Sequence, residues 1–299
     1  MLRYQIRRCA NRLLRPAFWR ADQYPPRAIA LPDHYERQPP EDPPIIAIVT
    51  PVLNQAAFIR AAIDSVLTQG YPRLAYVVQD GGSTDGTVDI LRSYGRLLDW
   101  VSLPDSGQAD AINRGFARVA GDIMAWLNGD DMLVPGSLAY VARFFQANPD
   151  IDLAYGHRVY IDINGKETGR CILPAHDSNT IRYFDFIPQE TLFWRRRAWQ
   201  ALAPIDASFD SAIDWDFILR AHSAGFSFRR LPRFLGCFRV HPAQKTVARQ
   251  AVSLAEMDLL RQRSFGREVT TDEIHRGIES YLLRHVFLDR LYRLGIKNY

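Results

Sequence analysis

The sequence predicts an α/β protein with a mostly parallel central sheet flanked by helices, followed by a helical C-terminal extension. Three observations carry that expectation. Strand-like and helix-like apolar spacings alternate four times between residues 45 and 131. Every polar motif in that stretch falls where a strand ends, the edge at which open parallel sheets bind ligands. From about Val252 onward the spacing is helical.

In chain order, Pro25, Pro26, Pro32, Pro39, Pro40, Pro43 and Pro44 mark residues 21–44 as an extended linker rather than packed structure. Ile45 to Val52 is an unbroken β-branched run, as in a strand covered on both faces. Ile59, Ala62, Ile63, Val66 and Leu67 follow at helical spacing, and Gly70 and Pro72 stop that helix. Leu74 to Val78 reads as a strand ending in Gln79-Asp80. It is followed by a helix near Thr87 to Tyr94, a strand near Trp100 to Leu103 and a helix from Gln108 to Val119. Ile123 to Leu127 is a fourth strand, ending in Asn128-Gly129-Asp130-Asp131. The second half differs. Leu153 to Ile161, Asn164-Gly165 and Glu167 to Ile172 read as a hairpin, Thr191 to Trp194 as a strand, and Phe226 to His241 as extended chain. A helix is expected after Asp214, and Thr270 with Glu273 makes a capping box for the last helix.

Composition sets the class. Apolar residues at 47% and charged residues at 23% describe a globular chain, and 299 residues can bury a large core. The net charge of +4 gathers in the first twenty residues, at Arg3, Arg7, Arg8, Arg12, Arg15 and Arg20, so no basic stripe runs through the body and a nucleic-acid partner is not expected. Leu2, Ile6, Cys9 and Leu13 share that segment at helical spacing, which suits either an anionic membrane surface or a solvated helix packed on the domain. Cys9, Cys171 and Cys237 form neither a disulfide framework nor a zinc site. With no secretory h-region and no membrane-length apolar run, a cytoplasmic protein is expected, with peripheral contact at the inner membrane face.

The loop Gly81-Gly82-Ser83-Thr84-Asp85-Gly86 matches neither a dinucleotide fingerprint nor a P-loop, and the turn after the first strand has no glycine. Hydride chemistry is therefore disfavoured. Asp80, Asp105, Asp130 and Asp131 would converge at one sheet edge, where gathered anions call for a divalent cation. Such an ion, held by one or two carboxylates together with substrate phosphates, suits a diphosphate substrate. Asp85 reads instead as a helix cap.

Five ordered motifs then resemble the inverting family 2 glycosyltransferases. They are Ile48-Val49-Thr50-Pro51-Val52-x-Asn54, Ser65-Val66-Leu67-x-Gln69, Asp80 to Thr87, Ala111-x-Asn113-x-Gly115, and Trp126 to Asp131. The resemblance covers about Ile45 to His241 and implies the GT-A nucleotide-diphospho-sugar transferase fold. On that reading residues 1–44 are a basic segment and linker. Residues 45–245 are the catalytic domain, with 45–131 the nucleotide-binding half and 132–245 the acceptor-binding half, and residues 246–299 form the helical extension. The resemblance implies that Asp80 and Thr50-Pro51 recognise the nucleotide base and that Asp105 and Arg114 lie around the donor. Asn54, Gly82, Gln108, Asn113, Asn128 and Gly129 complete the donor set. The acidic turn would hold Mn2+ or Mg2+ through Asp130 and Asp131 with His241. The family usually carries an aspartate where this chain has Asn128, which lacks the charge.

Inverting transfer needs one general base, and Ile213-Asp214-Trp215-Asp216-Phe217-x-Leu219-Arg220 matches the family's late acidic motif with Asp214 at the base position. Asp216 reads instead as an ion-pair partner of Arg220 at i+4. Gln189, Glu190 and Trp215 are the acceptor-side candidates, and Arg239-x-His241 with Lys245-Thr246 resembles a loop that closes over the diphosphate. The implied activity moves a sugar from a UDP- or GDP-sugar to a hydroxyl of a glycan or lipid-linked acceptor, in bacterial surface polysaccharide biosynthesis. The alternatives are a nucleotidyltransferase of similar fold, a glycosidase and a non-enzymatic binding module.

Overall fold

The β-branched run gives strand β1, Ile46–Val52, in which every residue is buried. It lies inside the sheet because its neighbours on both sides are parallel strands. β2 (Leu74–Asp80) and β4 (Ile123–Trp126) flank it, and β3 (Asp99–Ser102) lies beyond β2. The computed structural model describes residues 20–32, 35, 38–245 and 249–299; the expectations placed on Arg3, Arg7, Arg8, Arg12, Arg15, Leu2, Ile6, Cys9, Leu13 and Thr246 lie outside the described residues. Between the strands run α1 (Ile59–Leu67), α2 (Thr87–Ser93) and α3 (Gln108–Arg118). α3 approaches β1 so closely that a Cβ on Gly115 would sit 2.4 Å from a Val49 methyl.

Past β4 the sheet becomes mixed. β8 (Phe193–Arg195) is antiparallel to β4 and to β6 (Leu153–Ile161). β9 (Phe228–Arg239) runs parallel to β6, and the two-residue β5 (Met132–Leu133) pairs with β9. The order is β3-β2-β1-β4-β8-β6-β9-β5, with β7 (Glu167–Cys171) hairpinned onto β6 as the Asn164-Gly165 turn predicts. The segment expected as a strand from Thr191 splits. Pro188 opens a 3-10 turn at Gln189–Thr191, closed by the Thr191 N–H donating to the Pro188 carbonyl, and the strand starts only at Phe193.

α4 (Ser137–Ala147), α5 (Arg196–Leu202) and α6 (Ile213–Ser223) cover the second half. An aromatic cluster ties α6 to the centre of the sheet. Trp126 and Trp194 have ring centroids 5.4 Å apart, and Phe217 of α6 lies 5.0 Å from Trp194. Phe217 is fully buried, and losing such a ring costs about 3–5 kcal/mol. The last two helices, α7 (Gln250–Phe265) and α8 (Thr271–Arg293), pack on the same body. Tyr281 is fully buried against Phe186, and the His285 ring lies against the Ile172 carbonyl. The Thr270–Glu273 capping box is formed. No helix among the described residues is long and apolar enough to cross a membrane.

The proline-rich stretch departs from the expectation of an unpacked linker. The Glu167 carboxylate, fully buried, accepts the Tyr24 hydroxyl and the guanidinium groups of Arg27 and Arg170. The Glu167 and Arg27 backbones pair as a β-bridge. Proline spacing reports extended chain, and extended chain can still dock on a sheet edge. Burial alone would raise the Glu167 carboxyl, but bonds from Arg170, Tyr24 and Arg27 hold it below its ordinary range. Its stabilising contribution is therefore present at neutral pH and lost on acidification. Replacing Glu167 by Gln leaves the buried Arg170 charge unpaired. The variant is expected to lose on the order of 3 kcal/mol in chemical denaturation and to become protease-sensitive between residues 20 and 32.

Candidate functional site

The carboxyl ends of β1 and β4 open onto a cleft of about 670 Å³, closed on the far side by the Phe184–Glu190 segment, the start of α6 and the chain after β9. That volume suits a substrate-sized ligand. Pro51, Asp105, Gln108, Asn128, Asp130, Asp131, Gln189, Glu190, Asp214 and His241 all line it, as the motif spacing anticipates.

The acidic turn is held in place from β9. The Asp131 carboxylate accepts the Arg239 backbone N–H at 3.0 Å, while Arg239 Nε donates to the Asp130 carbonyl at 2.8 Å. Asp130 therefore projects into the cleft, where its Oδ2 lies 3.0 Å from His241 Nε2. Asp131 does not share that role. It is 2% exposed, and burial with Asp130 and Glu190 nearby raises its carboxyl well above the usual carboxylate range. Expected as a supporting ligand, it serves instead as the anchor of the turn. Asn128 accepts an N–H from Gln108 at 2.7 Å, a bond that an acid in its place would also accept, but with a charge added to an already anionic turn.

Among the described residues no group of three or more His, Cys, Asp or Glu side chains could hold a metal by itself. The Asp130 carboxylate and the His241 imidazole still fit a cation that takes its other ligands from a diphosphate, since hard ions are often held by only one or two protein groups beside substrate phosphates. Lys245 and Arg249, both cleft-lining, ion-pair with Asp210 on the same rim.

Asp214 is the second residue of α6. Burial pushes its carboxyl up to about 6, with the Glu190 charge adding to the rise and Arg158 and the Trp215 N–H opposing it. Sequence reasoning missed Arg158 and Asp185. Arg158 reaches the cleft from β6, donates twice to the buried Glu190 carboxylate at 2.7 and 2.6 Å, and lies over the Phe238 ring. Asp185 shares the cleft with Asp214, and burial plus the Asp214 charge raises its carboxyl well above the ordinary range. A charged residue inside the apolar strand at Leu153–Ile161 was a visible signal for Arg158; Asp185 left none. Gln55 also lines the cleft, and its Oε1 is buried with no hydrogen-bond partner among the described residues.

Other expected residues support the site without lining it. Thr50 is fully buried with its hydroxyl 3.0 Å from that of Tyr76. Asp80 is fully buried too, accepting the N–H groups of Gly82 and Ser83 and the hydroxyls of Ser83 and Ser102, so its carboxylate shapes the loop instead of facing a ligand. The loop passes close to Asp105, so that a Cβ on Gly81 would sit 2.8 Å from its carboxylate oxygen. Asn54, at φ +52°, accepts the Thr84 N–H and joins the first two loops. Asn113 is spent on the Ile205 backbone, and Arg114 on Asp110 and the Pro104 carbonyl. Gly129 lies behind the turn, where a Cβ would strike Gln55.

On the acceptor side, Glu190 is committed to Arg158, and Trp215 is fully buried with its ring N–H on the Ile181 carbonyl, so neither faces the cleft with a free polar group. Successive helix residues turn by about 100°, and Trp215 falls on the core face. Gln189 donates to the Trp126 carbonyl at 2.7 Å and keeps its Oε1 without a partner among the described residues. Asp216 pairs with Arg220, as its i+4 spacing predicts.

The sequence profile described as Glycosyl transferase family 2 matches residues 47–208, more than half of the chain. The PGL/p-HBAD biosynthesis glycosyltransferase of Mycobacterium bovis (strain BCG / Pasteur 1173P2) is 32% identical over 185 residues, covering 60% of this chain and 70% of that protein. Staphylococcus aureus TarS 1–349, solved with UDP, superposes with a TM-score of 0.57 at 17% identity, over 85% of this chain and 75% of that one. The chain spans 43% of a longer TarS structure. The mannosyltransferase PcManGT of Pyrobaculum calidifontis, solved with GDP-Man and Mn2+, gives 0.59 at 15% identity over 99% and 87% of the two chains. The two solved structures show a shared fold.

The anchoring role of Asp131 has a direct test. A carboxyl raised by burial favours the folded state at acid pH and opposes it once pH passes the unfolded value near about 4. Asp131→Asn keeps the acceptor for Arg239 without the charge, so in the metal-free protein it is expected to match or exceed wild-type stability at pH 7, the gain vanishing below pH ~4. Asp131→Ala loses the bond and is expected to unfold about 1–3 kcal/mol more easily.

Proposed function

The chain belongs to glycosyl transferase family 2, with the GT-A nucleotide-diphospho-sugar transferase fold, and from that premise we propose that this glycosyltransferase inverts the anomeric centre of a UDP- or GDP-sugar. The observation that carries the reading is a half-buried carboxylate, Asp214, opening on the same cleft as the Asp130–His241 pair. The solved neighbours hold UDP or GDP-Man, which supports a nucleotide diphosphate donor.

The donor lies along the β1 and β4 ends, its diphosphate towards Asp130 and His241. Bound there, Mn2+ or Mg2+ would supply Lewis-acid stabilisation of the leaving diphosphate. Lys245 and Arg249 add positive charge on the same rim. The acceptor hydroxyl approaches from the α6 side, and Gln189 Oε1 accepts a sugar hydroxyl. Asp214 takes the acceptor proton as the oxygen bonds to the anomeric carbon, while the bond to the diphosphate breaks on the opposite face. A carboxylate lifted to about 6 is a stronger base than an exposed one and is still ionised at neutral pH. A nucleotidyltransferase would bring a Gly- and Lys-rich phosphate loop after β1, and Leu53-Asn54-Gln55-Ala56-Ala57-Phe58 has neither residue.

The proposed acceptor is a hydroxyl on a glycan or lipid-linked glycan of bacterial surface polysaccharide assembly. The mycobacterial relative, named for PGL/p-HBAD biosynthesis, supports a lipid-linked acceptor. The Arg-rich residues 1–20 would hold the enzyme at the inner face of the cytoplasmic membrane.

Three measurements test this. Thermal shift against UDP- and GDP-sugars with Mn2+ should show one donor stabilising the fold, and stabilisation by none would refute the donor class. Asp214→Asn should keep that shift while kcat drops by roughly 10²–10⁴; turnover near the wild-type rate means the base lies elsewhere. In the wild type, kcat/KM should fall as pH drops through about 6, because the base must be ionised. A limb at the ordinary carboxylate value would contradict the assignment.

A further inference from the structure

α6 begins without a side-chain cap of its own: its N-cap residue is Ala212. The leading N–H groups of a helix need acceptors, and a carboxylate placed there also complements the helix dipole. For the N-cap N–H of Ala212 and the two residues leading into it, the acceptor comes from outside the helix. Glu256, on α7, receives the backbone N–H of Asp210 at 2.7 Å on one oxygen, and those of Ser211 and Ala212, both at 2.8 Å, on the other. The next residues are Ile213 and Asp214.

Glu256 does not act alone. Arg249, Ser253, Glu256, Leu260 and Arg263 recur at spacings of four, three, four and three, which puts them on one helix face. That face is applied to the segment before α6. Arg249 pairs with Asp210, Ser253 lies 2.6 Å from the Ser211 hydroxyl, Leu260 is buried, and Arg263 reaches Asp206. All five lie beyond residue 208, where the family profile ends, so this bracing belongs to the C-terminal extension.

We propose that Glu256 is a positioning residue for Asp214: from α7 it holds the N-cap N–H of Ala212 and those of the two residues before it, and by fixing where α6 starts it fixes the carboxylate that takes the acceptor proton. The inference rests on the reading of Asp214 as the base. Helix ends fray first, and Asp214 stands in the first turn. A base displaced by even an ångström loses much of its effect, whereas the donor, held by the β1 and β4 ends, is left in place.

The test is a double-mutant cycle on the full chain, with the stabilising nucleotide sugar and Mn2+ as probe. Glu256→Ala should lower kcat roughly ten- to a hundredfold with donor KM unchanged. Glu256→Gln keeps one acceptor oxygen and should fall between wild type and Ala, which guards against an Ala variant that merely fails to fold. In the Asp214→Asn background Glu256→Ala should bring no further loss of the residual rate, because there is no base left to position. Additive losses in that background, equal losses in kcat and donor affinity, or an unchanged kcat in Glu256→Ala would each overturn the proposal while leaving Asp214 as the base. Wild-type turnover by Asp214→Asn would overturn both.

Discussion

The hydrogen bond from the Arg239 backbone N–H to the Asp131 carboxylate is the constraint on which the rest of the site depends. It fastens the turn that ends β4 to the last residue of β9, 108 positions later in the chain. With that turn fixed, Asp130 must face the cleft and meet His241. Arg239 strengthens the lock by donating to the carbonyls of Asp130 and Asp162, so a single arginine aligns three chain segments. Because Asp131 is buried to perform this task, the two adjacent acids have divided into an anchor and a ligand-facing group.

Crowding of carboxylates around one cleft has a second consequence. Asp131, Asp185, Glu190 and Asp214 lie close enough to influence one another's protonation, and Arg158 is the cation that opposes the rise at Asp131, Asp185 and Asp214. Arg158 is itself fixed by its twofold bond to Glu190. Glu190 thus has a full ion-pair partner, while Asp131, Asp185 and Asp214, which lack one, are pushed towards holding their protons. A carboxylate poised near neutrality emerges from this arrangement without a histidine. The same environment that makes Asp214 basic also makes its position critical, since a small move towards water would return it to an ordinary acid.

The C-terminal helices are part of that positioning. α8 closes the underside of the core through Tyr281 and His285, and α7 turns a polar face to the segment before α6. The N-terminal stretch performs a comparable service beside α8, where Glu167 gathers Tyr24, Arg27 and Arg170, and Arg293 donates to Gln23. Both ends of the described chain brace the second half of the sheet, which has the mixed strand pattern and fewer of the regular strand–helix units that build the first half.

Local sequence determined the first half of the sheet, because period-two and helical spacings alternate there without interruption and parallel strands must be joined by helices. The cleft's location was legible too, and with it the lining by Asp105, Asn128, Asp130, Asp214 and His241, because parallel strands gather the loops after their carboxyl ends at one edge. The capping box at Thr270 and the Asp216–Arg220 pair were legible for the same reason: both are interactions over three or four residues. Only the tertiary structure decided which carboxylates are taken up by internal bonds. Asp80 and Asp131 carry the same side chain as Asp130, and they differ in what packs against them: Ser83 and Ser102 in one case, the Arg239 backbone in the other. It likewise decided that Trp215 belongs to the core, that residues 23–30 dock on β7, that Arg158 and Asp185 reach the cleft, and that Glu256 bonds the segment before α6. Those outcomes depend on contacts between segments tens to hundreds of residues apart, and no local spacing encodes a partner at that distance.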